Sequence, residues 1–269
     1  MTRPSSLLRA ALAVSALLFA APTFAAEPTA AEIIKRSSDN RTVNNSIQTM
    51  TLEIFDKSGN SRVRKITSKV KRGADDASRS HVFFEEPEDV RGVQFLSIEN
   101  PKGEDDQWMY MPAVGSANRI AGSSRKGSFM GTDFTYEDMS IGQVDDGDHT
   151  LQGKQSVTVG GKAFDTYVVQ SIPKAELKSA YAKIVTFVDT TDYMPRQVDL
   201  FDAKGEHVKR MTFPNVVREG DVLIPKVIVM ENLKRSTRTE LRVETYKVNV
   251  PAADLPDSIF TKEFIEGEG

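Results

Sequence analysis

Between Ser46 and Asp56 apolar and polar residues alternate, with Met50, Leu52 and Ile54 on one side and Thr49, Thr51 and Glu53 on the other. A period of two marks a strand buried on one face. Lys57-Ser58-Gly59-Asn60 interrupts the run with turn residues, and the charged stretch Ser61–Lys71 returns beside it as the second arm of a hairpin. The same punctuation recurs along the chain. Strands are predicted at Ser80–Glu85, at Gly92–Glu99, in a stretch carrying Trp108, and at Thr150–Gln155, Ala163–Ile172 and Lys183–Asp189. Four more follow at Pro195–Phe201, His207–Phe213, Asp221–Glu231 and Thr239–Val248. Pro225 cannot donate to a ladder, so the strand around it is expected at an edge or a bulge. Helical pattern is scarce. It covers Pro28–Val43 with Thr29 as cap, a connection over Pro173–Ala180, and short turns at Thr132–Met139 and Pro251–Phe264. Phe260 and Phe264 are expected to dock the last of these.

The pattern predicts a mainly β protein, α+β by class, built on a single antiparallel sheet of about eleven strands with a few short helices. So many strands do not lie flat, so the sheet should curl. A curled sheet has a concave face, and if the helices leave it free it can hold something apolar. Met50, Leu52, Ile54, Phe164, Val168, Ile228 and Met230 sit at alternating positions, and several of them should line that face.

One stretch departs from the alternation. From Gln107 to Ile141 a strand with Trp108 and Tyr110 on one face and Met109 and Met111 on the other ends at Pro112. A Gly/Ser segment with Arg119, Arg125 and Lys126 follows, and then Phe129, Met130, Phe134, Tyr136 and Met139 among Gly127, Gly131, Asp133, Glu137 and Asp138. Flexible backbone bearing aromatics and methionines suits a lid over an apolar cavity, because such side chains adapt to irregular partners. A long loop folded back on the core would carry the same composition. The two readings forecast different behaviour for Phe129→Ser. A lid residue would leave the fold intact and alter uptake or release of whatever the cavity holds. A core residue would cost about 3 kcal/mol or more.

The chain's start is a targeting signal rather than structure. Arg3 and Arg9 precede the apolar run Ala10–Ala21, and Thr23-Phe24-Ala25 offers small residues for cleavage after Ala25. Residues 1–25 are therefore expected to be a signal peptide and residues 26–269 one domain, exported and soluble. There is no cysteine, which excludes disulfides, thiolate metal sites, cysteine nucleophiles and acylation at a mature N-terminal cysteine. A net charge of −3 argues against nucleic acid and against a polybasic membrane-surface binder.

Catalytic pattern is lacking. His81, His149 and His207 stand apart, without a second ligand at metal spacing. No nucleophile elbow, phosphate-binding glycine loop or His-Glu-x-x-His is present. The acidic run Asp145-Asp146-Gly147-Asp148 is either a solvated turn or a weak calcium site, and it lacks EF-hand spacing. Arg119, Arg125 and Lys126 either solubilise the loop or hold an anionic head group.

At Trp108, Tyr110 and Pro112, then Arg119, Ile120 and Lys126, then Ser128, Phe129, Gly131, Thr132, Asp133, Phe134, Thr135, Tyr136, Glu137 and Asp138, the chain resembles the periplasmic outer-membrane lipoprotein-sorting proteins of the LolA-like superfamily. The resemblance covers nearly the whole mature chain in layout. It implies an incomplete antiparallel barrel over short helices, and a non-enzymatic periplasmic carrier or chaperone that needs no cofactor. Its partners would be a lipid or the acyl chains of a lipoprotein, with an inner-membrane transporter of the resistance-nodulation-division type and an outer-membrane acceptor, the carrier itself being a monomer. Trp108, Tyr110, Phe129, Met130, Phe134, Tyr136 and Met139 would then form the cavity rim and lid. Arg119 would pair with Asp133 or Glu137, or hold a head group. A sensor of envelope lipid or mislocalised lipoprotein, and a hydrolase of envelope glycan or lipid, are the alternatives.

Overall fold

The computed structural model describes residues 27–73, 75, 77–100, 104–140 and 147–267; the signal peptide expected over 1–25 and its cleavage site lie outside them. Thirteen strands form one antiparallel sheet. They are β1 (Asn45–Phe55), β2 (Ser61–Arg72), β3 (Ser78–Glu86), β4 (Gln94–Ile98), β5 (Asp106–Met111), β6 (Ser116–Ile120), β7 (Gly147–Val159), β8 (Lys162–Pro173), β9 (Lys183–Asp189), β10 (Pro195–Phe201), β11 (His207–Glu219), β12 (Val222–Asn232) and β13 (Thr237–Val248). Their order is 6-5-4-3-2-1-13-12-11-10-9-8-7. Two meanders are therefore joined side by side through β1 and β13, and β6 and β7, consecutive in the chain and joined by the crossing segment, stand at opposite outer edges of the sheet. The edges β6 and β7 do not pair, so the sheet is not closed as a barrel.

Strand β6 belongs to the stretch expected to be loop. Ser116-Ala117-Asn118-Arg119-Ile120 has too little apolar alternation to read as a strand. It forms because β5 offers it a ladder. Pro225 is tolerated for both of the expected reasons. Opposite it β11 shifts register twice, around Asn215, and β13 pairs with β12 only from Val227 onward.

Register separates the two faces. Met50, Leu52 and Ile54 of β1 stand across from Val243, Leu241 and Thr239 of β13 and from Ile66, Arg64 and Arg62 of β2. Carried outward, the same face holds Val82 and Phe84 of β3, Phe95 of β4 and Met109 of β5 on one side. On the other side it holds Met230 of β12, Met211 of β11, Val198 and Leu200 of β10, and Tyr167 and Val169 of β8. This inner face carries the main core. Of the residues expected on it, Met50, Leu52, Ile54, Ile228 and Met230 are there. Phe164 and Val168 are not, because they share the opposite face with Val157, Val159 and Phe187.

Two segments cover the inner face. At the β7–β9 end lies α1 (Ala30–Asp39), with Thr29 and Glu32 forming a reciprocal capping box. Its Ile33 and Ile34 pack on Tyr167, Val169 and Val188. At the other end lies the crossing segment. On the outer face, over β3–β6, the C-terminal residues Leu255, Ile259, Phe260 and Ile265 pack on Leu96, Ile98, Trp108 and Tyr110. Phe264 joins them, so both phenylalanines dock the C-terminus as expected.

The curl follows from one set of bonds. Gln107 of β5 donates to the carbonyl of Tyr136 at 2.9 Å, and Lys209 of β11 reaches Asp138 at 3.1 Å. In a flat sheet β5 and β11, seven spacings apart, would be separated by about 34 Å. Three consecutive residues and two side chains cannot bridge that distance, so the sheet wraps around the crossing segment.

Candidate functional site

The crossing segment is a plug. It begins with the 3-10 turn Gly122–Lys126, doubles back through an isolated bridge between Ser128 and Thr135, and ends with the 3-10 turn Glu137–Met139. Phe129 N–H donates to the Phe134 carbonyl at 2.8 Å, and Tyr136 N–H to the Gly127 carbonyl at 3.2 Å. Thr132 Oγ1 donates to the Phe129 carbonyl at 2.7 Å. The tip turns through two left-handed residues, Met130 at φ 49° and Gly131 at φ 73°. A side chain at 131 would also press on the Arg62 guanidinium, 3.0 Å from where a Cβ would stand, so glycine fits for both reasons.

Three aromatic side chains of this plug enter the main core. Phe129 is 1% exposed and meets Phe95 edge-on, with ring centres 5.2 Å apart. Tyr136 meets Phe129 edge-on at 5.7 Å. Phe134 is buried, and Met130 and Met139 pack at the margin.

The acids of the motif fasten the plug to the sheet. Asp133 accepts from Thr237 Oγ1 at 2.5 Å and Thr239 Oγ1 at 2.9 Å, both on β13, while its own N–H donates back to Thr239 Oγ1 at 2.9 Å. Asp138 accepts from the Tyr181 hydroxyl at 2.9 Å and from Lys209, and it caps the Thr135 N–H at 2.7 Å. Glu137 accepts from the Ser179 hydroxyl and from Ala180 N–H at 2.7 Å. Burial pushes the Glu137 carboxyl up from the usual range, against those two hydrogen bonds. At the tip two arginines of β2 donate to plug carbonyls, Arg62 to Gly131 at 3.0 Å and Arg64 to Met130.

A buried polar layer lies under the second 3-10 turn. Gln107, Asp105, Ser97 and Arg125 are all at least nine-tenths buried. Gln107 Nε2 and Arg125 Nη2 both donate to the Ser140 hydroxyl, at 3.2 Å and 3.0 Å. Asp105 accepts from Asn100 N–H at 3.2 Å. Ser97 Oγ, Asp105 Oδ2, Gln107 Oε1 and Arg125 Nε find no protein partner. Burial pushes the Asp105 carboxyl up to about 6, and the Arg125 charge offsets this only in part.

The structure therefore redistributes the residues expected at the rim. Phe129, Met130, Phe134, Tyr136 and Met139 come together on the inner face. Trp108 and Tyr110 do not. Alternation along β5 turns Gln107 and Met109 inward and sends Trp108 and Tyr110 to the outer face, under the C-terminal segment. Arg119 stands opposite Trp108 and pairs with Asp106 on that same outer face, not with Asp133 or Glu137. Phe129 is a core residue, so the forecast that Phe129→Ser leaves the fold intact is replaced by the alternative of a large loss in stability. The concave face expected to be free to hold something apolar is instead occupied by the plug, so the expectation of an open apolar cavity is not met. Two cavities lie at the ends of the plug. One of about 350 Å³ has Arg62, Gly131, Asp133 and Arg235 in its wall, and one of about 250 Å³ has Lys126, Lys178 and Tyr181.

Sequence reading missed Gln107, Arg64 and Lys209, the inward polar partners of the plug. The signal was a polar side chain at a position in step with inward apolar ones, as at Gln107 two before Met109 and Arg64 two before Ile66. The histidines are strand residues, His81 bonded to Gln94 at 2.7 Å and His149 to Ser171 at 2.8 Å. Asp145 and Asp146 lie outside the described residues. Among the described residues no group of three or more His, Asp or Glu is placed to hold a metal ion, and no helix is long and apolar enough to cross a membrane.

A single antiparallel sheet, not closed as a barrel and carrying a few short helices, is a LolA-like fold, as the solved structures that share it show. An outer membrane lipoprotein-sorting protein domain assigned in Vibrio parahaemolyticus is 28% identical, with a TM-score of 0.80 over 88% of this chain and 98% of that one. A DUF1329 family protein from Desulfovibrio piger is 25% identical, with a TM-score of 0.81 over 88% and 97%. A LolA superfamily protein from Nitrosomonas europaea shares the fold at 20% identity, with a TM-score of 0.68 over 88% and 100%. A family model described as "-like: Uncharacterized protein" matches residues 76–267, and the chain belongs to that family. No curated protein matches the sequence.

Proposed function

We propose that this chain is a periplasmic carrier or chaperone that takes the acyl chains of a lipid or lipoprotein onto the inner face of its sheet, in place of the plug, for transfer toward the outer membrane. The observation that carries the reading is the apolar inner face covered by a separate segment, whose Phe129 and Phe134 are buried against the sheet's own apolar side chains. The likeness to a lipoprotein-sorting domain over nearly all of that domain supports it.

The energetics permit the exchange. Withdrawing Phe129, Phe134, Tyr136 and Met139 from the core costs about 1.5–3 kcal/mol each, or roughly 6–12 kcal/mol in all. A chain of about 16 carbons entering the same space returns about 0.8 kcal/mol per methylene, roughly 13 kcal/mol. One chain is near balance, so a carrier of this kind stays closed when empty and still gives up its cargo. The acids of the motif serve as fasteners, so the reading needs no catalytic residue and no cofactor. An inner-membrane donor of the resistance-nodulation-division type and an outer-membrane acceptor complete the route. The test is mass spectrometry of protein purified from its native periplasm without detergent. A lipid or acylated peptide near one per chain is expected, and none above a tenth of that would count against the carrier.

A further inference from the structure

Resting on that reading, we propose that Arg62, Arg64 and Arg235, at the mouth of the inner face, form a binding site for the anionic head group of the cargo amphiphile, phosphate or carboxylate in chemistry. Arg62 and Arg64 are two apart on β2, so both point to the inner face, where β2 faces Ile54 and Leu52 of β1. Arg235 lies in the β12–β13 turn and shares the wall of the 350 Å³ cavity with Arg62 and with Gly131 at the tip of the plug. The cavity thus opens beside the point where the plug leaves the apolar core.

The charges are unbalanced in a specific way. Among the described residues none of the three arginines makes an ion pair with a carboxylate, whereas Arg119, Arg196, Arg210, Arg238 and Arg242 all do. The cavity wall holds two carboxylates: Asp133 is occupied by Thr237 and Thr239, and Asp56 by Ser58 and Asn60 of its own turn. Arg62 and Arg64 are held instead by two neutral carbonyls of the plug tip. Arg64 is 8% exposed, and its burial together with the neighbouring Arg62 charge lowers its affinity for its proton, with Asp89 acting weakly in the other direction. A buried guanidinium satisfied only by neutral acceptors gains more from an anion, since charge-assisted hydrogen bonds are about twice as strong as neutral ones. An arriving head group would therefore displace the carbonyls of Met130 and Gly131, the contacts that hold the plug tip down. Head-group capture and plug release would become one event, with the acyl chain entering behind.

The experiment measures binding to the mature chain of three probes: dodecyl phosphate, 1-monolauroylglycerol as the neutral amphiphile of equal chain length, and inorganic phosphate. The native protein should bind dodecyl phosphate at least tenfold tighter than the neutral amphiphile, and inorganic phosphate at least a hundredfold more weakly than dodecyl phosphate. The double variant Arg62→Gln with Arg235→Gln leaves the buried Arg64 in place and should cut the preference for dodecyl phosphate over the neutral amphiphile at least threefold. Arg62→Lys should keep most of the preference. Equal binding of both amphiphiles by the native protein, or an unchanged preference in the double variant, overturns the head-group site and leaves the carrier reading standing. Inorganic phosphate bound as tightly as dodecyl phosphate overturns it in favour of a free-anion site. Binding of neither amphiphile removes both the carrier reading and the head-group site.

Discussion

At the scale of single residues, Phe129 and Asp105 make opposite contributions. Phe129 is enclosed by Phe84, Phe95 and Tyr136. Truncating it leaves a cavity its neighbours cannot close, so Phe129→Ala should lower stability by about 3–5 kcal/mol. Chemical denaturation reads this directly, and a loss under about 1 kcal/mol would place the residue on a mobile lid after all. Asp105 is buried with an unpartnered oxygen, and its carboxyl is raised to about 6. A carboxyl whose folded value exceeds its unfolded one binds its proton more tightly when folded. Its contribution is therefore fully present below about pH 4 and is lost as the pH rises through about 6. Asp105→Asn should be more stable than the native protein at pH 7.5, by of order 2 kcal/mol, and the difference should vanish near pH 4. Thermal melts at the two pH values check the sign, and a variant less stable at pH 7.5 would show that the ionised Asp105–Arg125 pair holds the layer together. The buried polar residues were the least legible in the sequence. Alternation marks which positions face inward, but nothing local distinguishes Gln107 as a clamp on the plug from a polar residue at an edge.

At the scale of elements, the strands were legible because their alternation and turn residues are local. The face each side chain occupies was legible only where both sides of a strand differ. Strand β5 is apolar on both sides, with Met109 inward and Trp108 outward, so the pattern alone did not say which side the plug takes. The partner of Trp108 comes from more than 140 residues later, in the C-terminal segment. Trp108 is the only tryptophan, which makes it a reporter of that packing alone. Leu255→Ala or Phe260→Ala should cost about 2–5 kcal/mol and shift Trp108 emission to the red. A ligand on the inner face should leave the emission maximum unchanged within about a nanometre, because the sheet lies between them. A large shift on lipid binding would place the cargo on the outer face. The plug itself was recognisable as a motif but not as a fixture. Glycines and serines suggested motion, whereas the acids among them turn out to be its anchors.

At the scale of the whole molecule, the fold brings distant parts of the sheet onto one short segment. Asp133 joins the plug to β13, Asp138 to β11, Gln107 joins β5 to it and Arg64 joins β2. Stability and closure are then the same set of contacts. A carrier built this way should loosen throughout when the plug leaves, and regain order when acyl chains replace it. The measurement that tests this most directly is a lock. The chain has no cysteine, so Asp133→Cys with Thr239→Cys introduces the only pair, at positions whose side chains already touch. Oxidised, the variant should lose binding of a fluorescent acyl lipid by at least tenfold. Reduced, it should bind at least as tightly as the native protein, because the Asp133 fastener is gone. Equal binding by the oxidised and reduced forms, with the disulfide verified by mass, would show that the plug does not have to move and would contradict the account.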